Sequence, residues 1–210
     1  LARDEEMVGI LLPQSVGGTL ANISLTLMGK VPVNLNYTAS NESIAAAADQ
    51  CKMKHVLTAK AFLEQMPVEV PGQAVFMEDI MQSVEKKDRI VALLLALFCP
   101  VKTLERSLGA PANRNAQELA QVLFSTGTEG QPKGVMLSHY NVAKNIESAL
   151  LVFPHKKGDC IVGMLPFFHS FGYTATLWLV LTAPQFRALY YPNPLEARAI
   201  GELVQKYKGT

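Results

Sequence analysis

Residues 124–138 read FSTGTEGQPKGVMLS, with three hydroxyl side chains and two glycines ahead of Lys133. Glycine lets backbone N–H groups turn inward at φ values other residues resist, and a concave ring of such donors binds anions. Ser125, Thr126 and Thr128 add hydroxyl donors, and Lys133 supplies a compact positive charge suited to phosphate. The pattern predicts a polyphosphate cradle, with ATP as the ligand. A Walker loop is excluded, because Lys133 lies between Pro132 and Gly134 instead of following glycine and preceding Ser or Thr. The dinucleotide fingerprint is excluded as well, since Gly127, Gly130 and Gly134 have the wrong intervals.

The stretch resembles the phosphate loop of the adenylate-forming (acyl-CoA synthetase/AMP-binding) superfamily. That pattern is an aromatic, two small hydroxyl residues, Gly, Ser or Thr, Thr, Gly, any residue, then Pro-Lys-Gly. Phe124, Ser125, Thr126, Gly127, Thr128, Gly130, Pro132, Lys133 and Gly134 match it. Glu129 departs from it, standing where most members have Thr. A carboxylate beside triphosphate repels it unless Mg²⁺ intervenes or the side chain turns outward. This substitution, and the wording of residues 29–40 (GKVPVNLNYTAS), are similar to a bifunctional branch. That branch joins an acyl–acyl carrier protein synthetase to a 2-acylglycerophosphoethanolamine acyltransferase.

A second passage, residues 164–173 (MLPFFHSFGY), matches a superfamily motif in the expected order. Taken alone, a histidine among phenylalanines is an ordinary core residue. The resemblance instead implies that His169 lies near the adenylate, with Phe168 and Phe171 shaping the acyl pocket. An imidazole can donate to a developing negative oxygen, and aromatic walls exclude competing water. Ser138 or His139 is expected to cap the next helix, a structural role.

The implied activity is ATP- and Mg²⁺-dependent activation of a fatty acid as acyl-adenylate, then transfer to a thiol of acyl carrier protein or coenzyme A, serving phospholipid acyl recycling. Lys133 and His169 are the implied catalytic residues. Ser125, Thr126, Gly127, Thr128, Glu129, Gly130 and Lys133 would bind phosphate, and no residue is assigned to a metal. A fatty acyl-CoA synthetase is the alternative within the class. A non-catalytic nucleotide- or lipid-binding module is the alternative outside it. The superfamily's Tyr-Gly-x-Thr-Glu motif and C-terminal lid lysine are not in this sequence, so the chain reads as an N-terminal-domain fragment, inactive by itself.

These residues need a scaffold. Apolar runs at 8–12, 31–35 and 55–58 alternate with helix-length segments at 17–28, 41–52 and 60–65, with a further strand at 75–76. Such alternation is the signature of βαβ units and a largely parallel sheet. The run at 121–124 feeds the phosphate loop. Beyond it, helices at 141–151, 171–181 and 195–206 alternate with strands at 160–164 and 188–191, Pro194 starting the last helix. The fold class is therefore α/β: layered, mainly parallel sheets with flanking helices, in approximate halves 1–112 and 113–210.

The most apolar run, IVALLLALFCPV at 90–101, is too short to span a bilayer, which takes about 20 residues. The expectation is a buried helix ended by Pro100. Lys86, Lys87, Arg89, Lys102 and Arg106 flank it, so the alternative is a segment lying on a membrane surface. A cytoplasmic location, at the inner face of a bacterial inner membrane, goes with that alternative. Nineteen basic against eighteen acidic residues give no field that would draw the chain to nucleic acid. Cys51, Cys99 and Cys160 lack metal-ligand spacing and read as thiols.

Overall fold

The computed structural model describes residues 5–110, 115–125 and 131–209. Four short strands, β1 (Met7–Ile10), β2 (Val31–Asn34), β3 (His55–Thr58) and β4 (Gln73–Phe76), form a parallel sheet in the order β2-β1-β3-β4. Crossovers α1 (Val16–Leu27), α2 (Asn41–Gln50) and α3 (Lys60–Gln65) connect them. Ser15 caps α1 by accepting from the Gly18 amide, and Ser40 caps α2 by accepting from that of Ser43.

Both faces of this sheet are covered, which is why β2 has no exposed residue. On one side Val31, Val33 and Leu35 pack with Ile44 and Ala47 of α2. On the other, Val8 and Ile10 pack with Ala21 and Leu25 of α1. Two buried amides pin α1 to β2: Asn22 and Asn34 exchange reciprocal hydrogen bonds of 3.1 and 2.8 Å. A buried amide left single would cost more than such a pair contributes, so both positions are tied to polar side chains.

The expected burial of the apolar run is not what the structure shows. After α4 (Met77–Ser83), the run forms α5 (Lys86–Phe98), ended by Pro100 as expected, followed by α6 (Val101–Ser107). No residue of α5 is buried, and Phe98 is 78% exposed. Residues 90–98 are apolar around the whole helix circumference, so no single face could have satisfied them.

The second half opens with β5 (Leu119–Ser125), whose Val122 joins the core beneath β2. Its partner is β6 (Lys133–Ser138), which the sequence reading did not anticipate, and the pair is antiparallel. The phosphate motif therefore falls between two antiparallel strands instead of between a strand and a helix. Helix α7 (His139–Val152) follows, capped by reciprocal bonds between Ser138 and Asn141. Strands β7 (Cys160–Gly163) and β8 (Arg187–Tyr190) pair in parallel. Between them lies a π-helical segment, Gly172–Trp178, running into α8 (Leu179–Thr182). The final helix, α9 (Ala197–Tyr207), starts after Glu196 and not at Pro194, because Asn193 holds residues 193–196 in a turn.

Candidate functional site

Antiparallel register sets the geometry of the phosphate segment. Ser125, the last residue of β5, stands opposite Lys133, the first of β6. Both are exposed. The register continues with Phe124 opposite Gly134 and Leu123 opposite Val135, so the hairpin stem is regular up to its mouth. Thr126, Gly127, Thr128, Glu129 and Gly130 lie outside the described residues. Gln50 of α2 reaches across from the first half and donates to the Pro132 carbonyl at 3.0 Å. Beside it, Ser125 and Pro132 border a cavity of about 370 Å³ with Asn36, Ser40 and Ser43.

His169 sits in the turn between β7 and the π-helical segment. Its backbone N–H donates to the Pro166 carbonyl at 3.0 Å, and its carbonyl accepts from Tyr173 at 2.9 Å. The Phe171 amide donates to His169 Nδ1 at 3.2 Å. An acceptor nitrogen carries no proton, so in the neutral ring the hydrogen is on Nε2. His169 is exposed.

The turn is tight for a reason visible in Gly172. A Cβ there would lie 2.1 Å from the Pro166 carbonyl oxygen and 2.7 Å from that of Leu165. Only glycine lets the first helical residue approach the turn so closely. Thr176 then donates its hydroxyl to the Gly172 carbonyl at 2.7 Å, within the widened helix. Such π segments are uncommon and are frequently found at functional sites.

The two phenylalanines flanking His169 part company. Phe168 packs against the first core, edge-on to Tyr37 with ring centroids 4.9 Å apart. Phe171 is exposed and, with Ser170, lines a largely apolar cavity of about 720 Å³. Ile146, Ala149 and Leu150 of α7 form its opposite wall, and His155, Lys156 and Asp159 stand on its lining as polar groups. An elongated apolar ligand fits such a space, with a few polar groups to orient it. The sequence reading missed the α7 wall, whose apolar positions look like any helix face packed on a sheet.

Gln14, between β1 and α1, was also missed. It is wholly buried, and its amide reaches three backbone carbonyls of the second half, at Met164, Tyr191 and Pro192. Among the described residues, no group of three or more His, Cys, Asp or Glu converges as a metal site.

The family of AMP-binding enzymes matches residues 2–210. A long-chain-fatty-acid–CoA ligase of Bacillus subtilis (strain 168) is 40% identical over 102 residues, 44% of this chain and 17% of that protein. A 4-coumarate–CoA ligase of Narcissus pseudonarcissus is 24% identical over 215 residues, 99% of this chain and 37% of its own length. The chain thus spans well under half the length of these relatives. Among solved structures, o-succinylbenzoate coenzyme A synthetase of Bacillus subtilis, in complex with ATP and magnesium ion, superposes with TM-score 0.75. It is 18% identical, over 100% of this chain and 50% of that one. This likeness confirms the α/β architecture of parallel sheet and flanking helices.

Proposed function

The chain belongs to the AMP-binding enzyme family, and from that premise we propose that it supplies part of the site where ATP activates a fatty acid. The observation that carries this is the pairing of Ser125 with Lys133 at the mouth of the β5–β6 hairpin. The pairing brings a hydroxyl and a cation to the two ends of the glycine- and hydroxyl-rich segment. These are donors of the kind a triphosphate needs; Ser125 and Lys133 would hold ATP, and Mg²⁺, when bound, would supply charge neutralisation of its phosphates. Ser125 and Lys133 would hold the β- and γ-phosphates together with Thr126, Gly127, Thr128, Glu129 and Gly130.

In the reaction, a carboxylate oxygen attacks the α-phosphorus and pyrophosphate leaves. A thiol then attacks the acyl carbon and AMP leaves. Most of the acceleration comes from positioning and from neutralising charge. His169 Nε2–H would donate to the carboxylate or α-phosphate oxygen. The cavity walled by Phe171 and α7 would take the acyl chain, while Phe168 would support the turn from behind.

The thiol is that of acyl carrier protein or of coenzyme A. The departure at Glu129 supports the carrier-protein branch, with acyl recycling into phospholipid as its role. Exposed α5, bounded by five cationic residues, supports contact with an anionic lipid surface on the cytoplasmic side.

The test is fatty-acid-dependent exchange of pyrophosphate into ATP by the full-length gene product. Exchange that appears only with a long-chain acid is expected, and its absence overturns the proposal. Titrating coenzyme A against acyl carrier protein in the second half-reaction then chooses the acceptor.

A further inference from the structure

Gln14 lies where the carboxyl ends of strands from both halves meet. It follows β1 in the first sheet, and its amide nitrogen donates to Met164 after β7 at 2.9 Å. The same nitrogen reaches Tyr191 and Pro192 after β8, at 3.0 and 3.1 Å. These partners are 150, 177 and 178 residues away along the chain. Carbonyls only accept, so the amide orientation is fixed by chemistry, and its two hydrogens are shared among three acceptors. The amide oxygen is used as well, accepting from the Tyr37 hydroxyl at 3.2 Å. Burial pushes the Tyr37 phenol up to about 12, so it remains a donor across the working pH range.

Tyr37 closes a ring of contacts. Its aromatic face meets Phe168 edge-on at 4.9 Å and 85°, and Phe168 is the residue before His169. Phe167, one position further back, is almost wholly buried. At Gly18 of α1 a Cβ would meet the Phe167 ring at 3.3 Å and the Pro13 carbonyl oxygen at 2.7 Å. The first half therefore grips the His169 turn at Met164, at Phe167 and at Phe168.

We infer that Gln14, backed by Tyr37, is a positioning residue that sets the place of His169 relative to the bound acyl group. This rests on the adenylation reading above. Gln14 lines neither the cavity beside Ser125 nor the one beside Phe171, and it acts through the turn. A nonpolar substitute would leave three carbonyls without their donor and free the turn to shift. A shift on the order of an ångström at a reacting group costs up to roughly a hundredfold in rate.

The experiment uses the full-length gene product with ATP and palmitate, and follows kcat and the KM for ATP. Gln14→Leu should lower kcat roughly ten- to hundredfold, with the KM for ATP changing less than about threefold. Tyr37→Phe, which keeps the ring and folds without a cavity, should lower kcat less but in the same manner. The decisive measurement repeats both substitutions in a His169→Ala background, where each should change kcat by less than about twofold. Equal losses with and without His169 mean a merely structural role and overturn the inference. So does unchanged kcat in folded Tyr37→Phe, should Gln14→Leu fail to fold. A wild-type protein without activity refutes the adenylation reading itself, whereas a fully active His169→Ala in that assay removes His169 from the mechanism and overturns the positioning role with it. Normal kcat in Gln14→Leu alongside an impaired His169→Ala refutes only the positioning role.

Discussion

Ser125 and Lys133 face each other across the last rung of the β5–β6 ladder, so a regular antiparallel pairing brings the two ends of the phosphate motif together. The relationship fixes where the lysine can act. Its Cα is anchored in a strand while its side chain is free to follow the phosphates. In the full-length gene product, Lys133→Ala should leave folding intact, because the side chain is exposed. A charge-assisted hydrogen bond contributes about 1.5–3 kcal/mol, so the adenylation rate should fall roughly ten- to hundredfold. Pyrophosphate exchange measures it, and an unchanged rate removes Lys133 from the site.

What the sequence disclosed, and what it hid, divides along a physical line. His55–Thr58 as a strand and Lys60–Gln65 as a helix were legible because apolar alternation and polar breaks coincide there. The Ser138 cap was legible from its own chemistry. By contrast, β6 was hidden because its residues 133–138 begin with the motif itself and contain only a short apolar stretch. The exposure of α5 contradicted its composition, since apolarity alone cannot say whether another surface is near. Gln14 could not be found at all. A single glutamine carries no periodic signal, and the three carbonyls it holds lie more than a hundred residues away.

Gly172→Ala tests the tightness of the His169 turn. The added methyl would sit 2.1 Å from the Pro166 carbonyl oxygen, a backbone atom that cannot move without dragging the turn. Overpacking of this kind costs about 1–3 kcal/mol, read as a lower thermal midpoint. Activity should fall further than stability explains, because the displaced carbonyl is the one that receives the His169 amide. A variant of wild-type stability would show that the turn has room to spare.

At the far end of the first sheet, buried Glu5 gives the fold a pH dependence. Burial pushes its carboxyl up, but the Lys54 amide, the His55 ring and the His55 amide pull harder, and the net shift is below its ordinary 4.5. One carboxylate oxygen accepts from the Lys54 N–H and, at 3.1 Å, from the His55 N–H. The other meets His55 Nδ1 at 2.7 Å. A depressed carboxyl stabilises the folded state above its unfolded pKa, and that stability disappears as pH falls through the folded value. Melting between about pH 6 and about pH 3 should show the wild type losing stability faster than Glu5→Gln. At neutral pH the variant should be weaker by about 1.5–3 kcal/mol, the worth of hydrogen bonds to a charged group. Parallel pH profiles would exclude Glu5 as the origin.

The exposed α5 calls for a surface experiment. Leu93, Leu97 and Phe98 are 59%, 66% and 78% exposed, and burying side chains of this size contributes about 1.5–3 kcal/mol each. With Lys86, Lys87 and Arg89 in its first turn, the helix suits a bilayer that offers anionic headgroups above an apolar interior. Among the described residues no helix is long and apolar enough to cross a membrane, so the contact would lie along the surface. The full-length gene product should co-sediment with vesicles containing phosphatidylglycerol, and Leu93→Glu with Leu97→Glu should reduce binding at least about tenfold. Raising salt should weaken binding while leaving a salt-resistant apolar component, because only the headgroup attraction is screened. Equal binding by the double variant would remove α5 from the membrane contact.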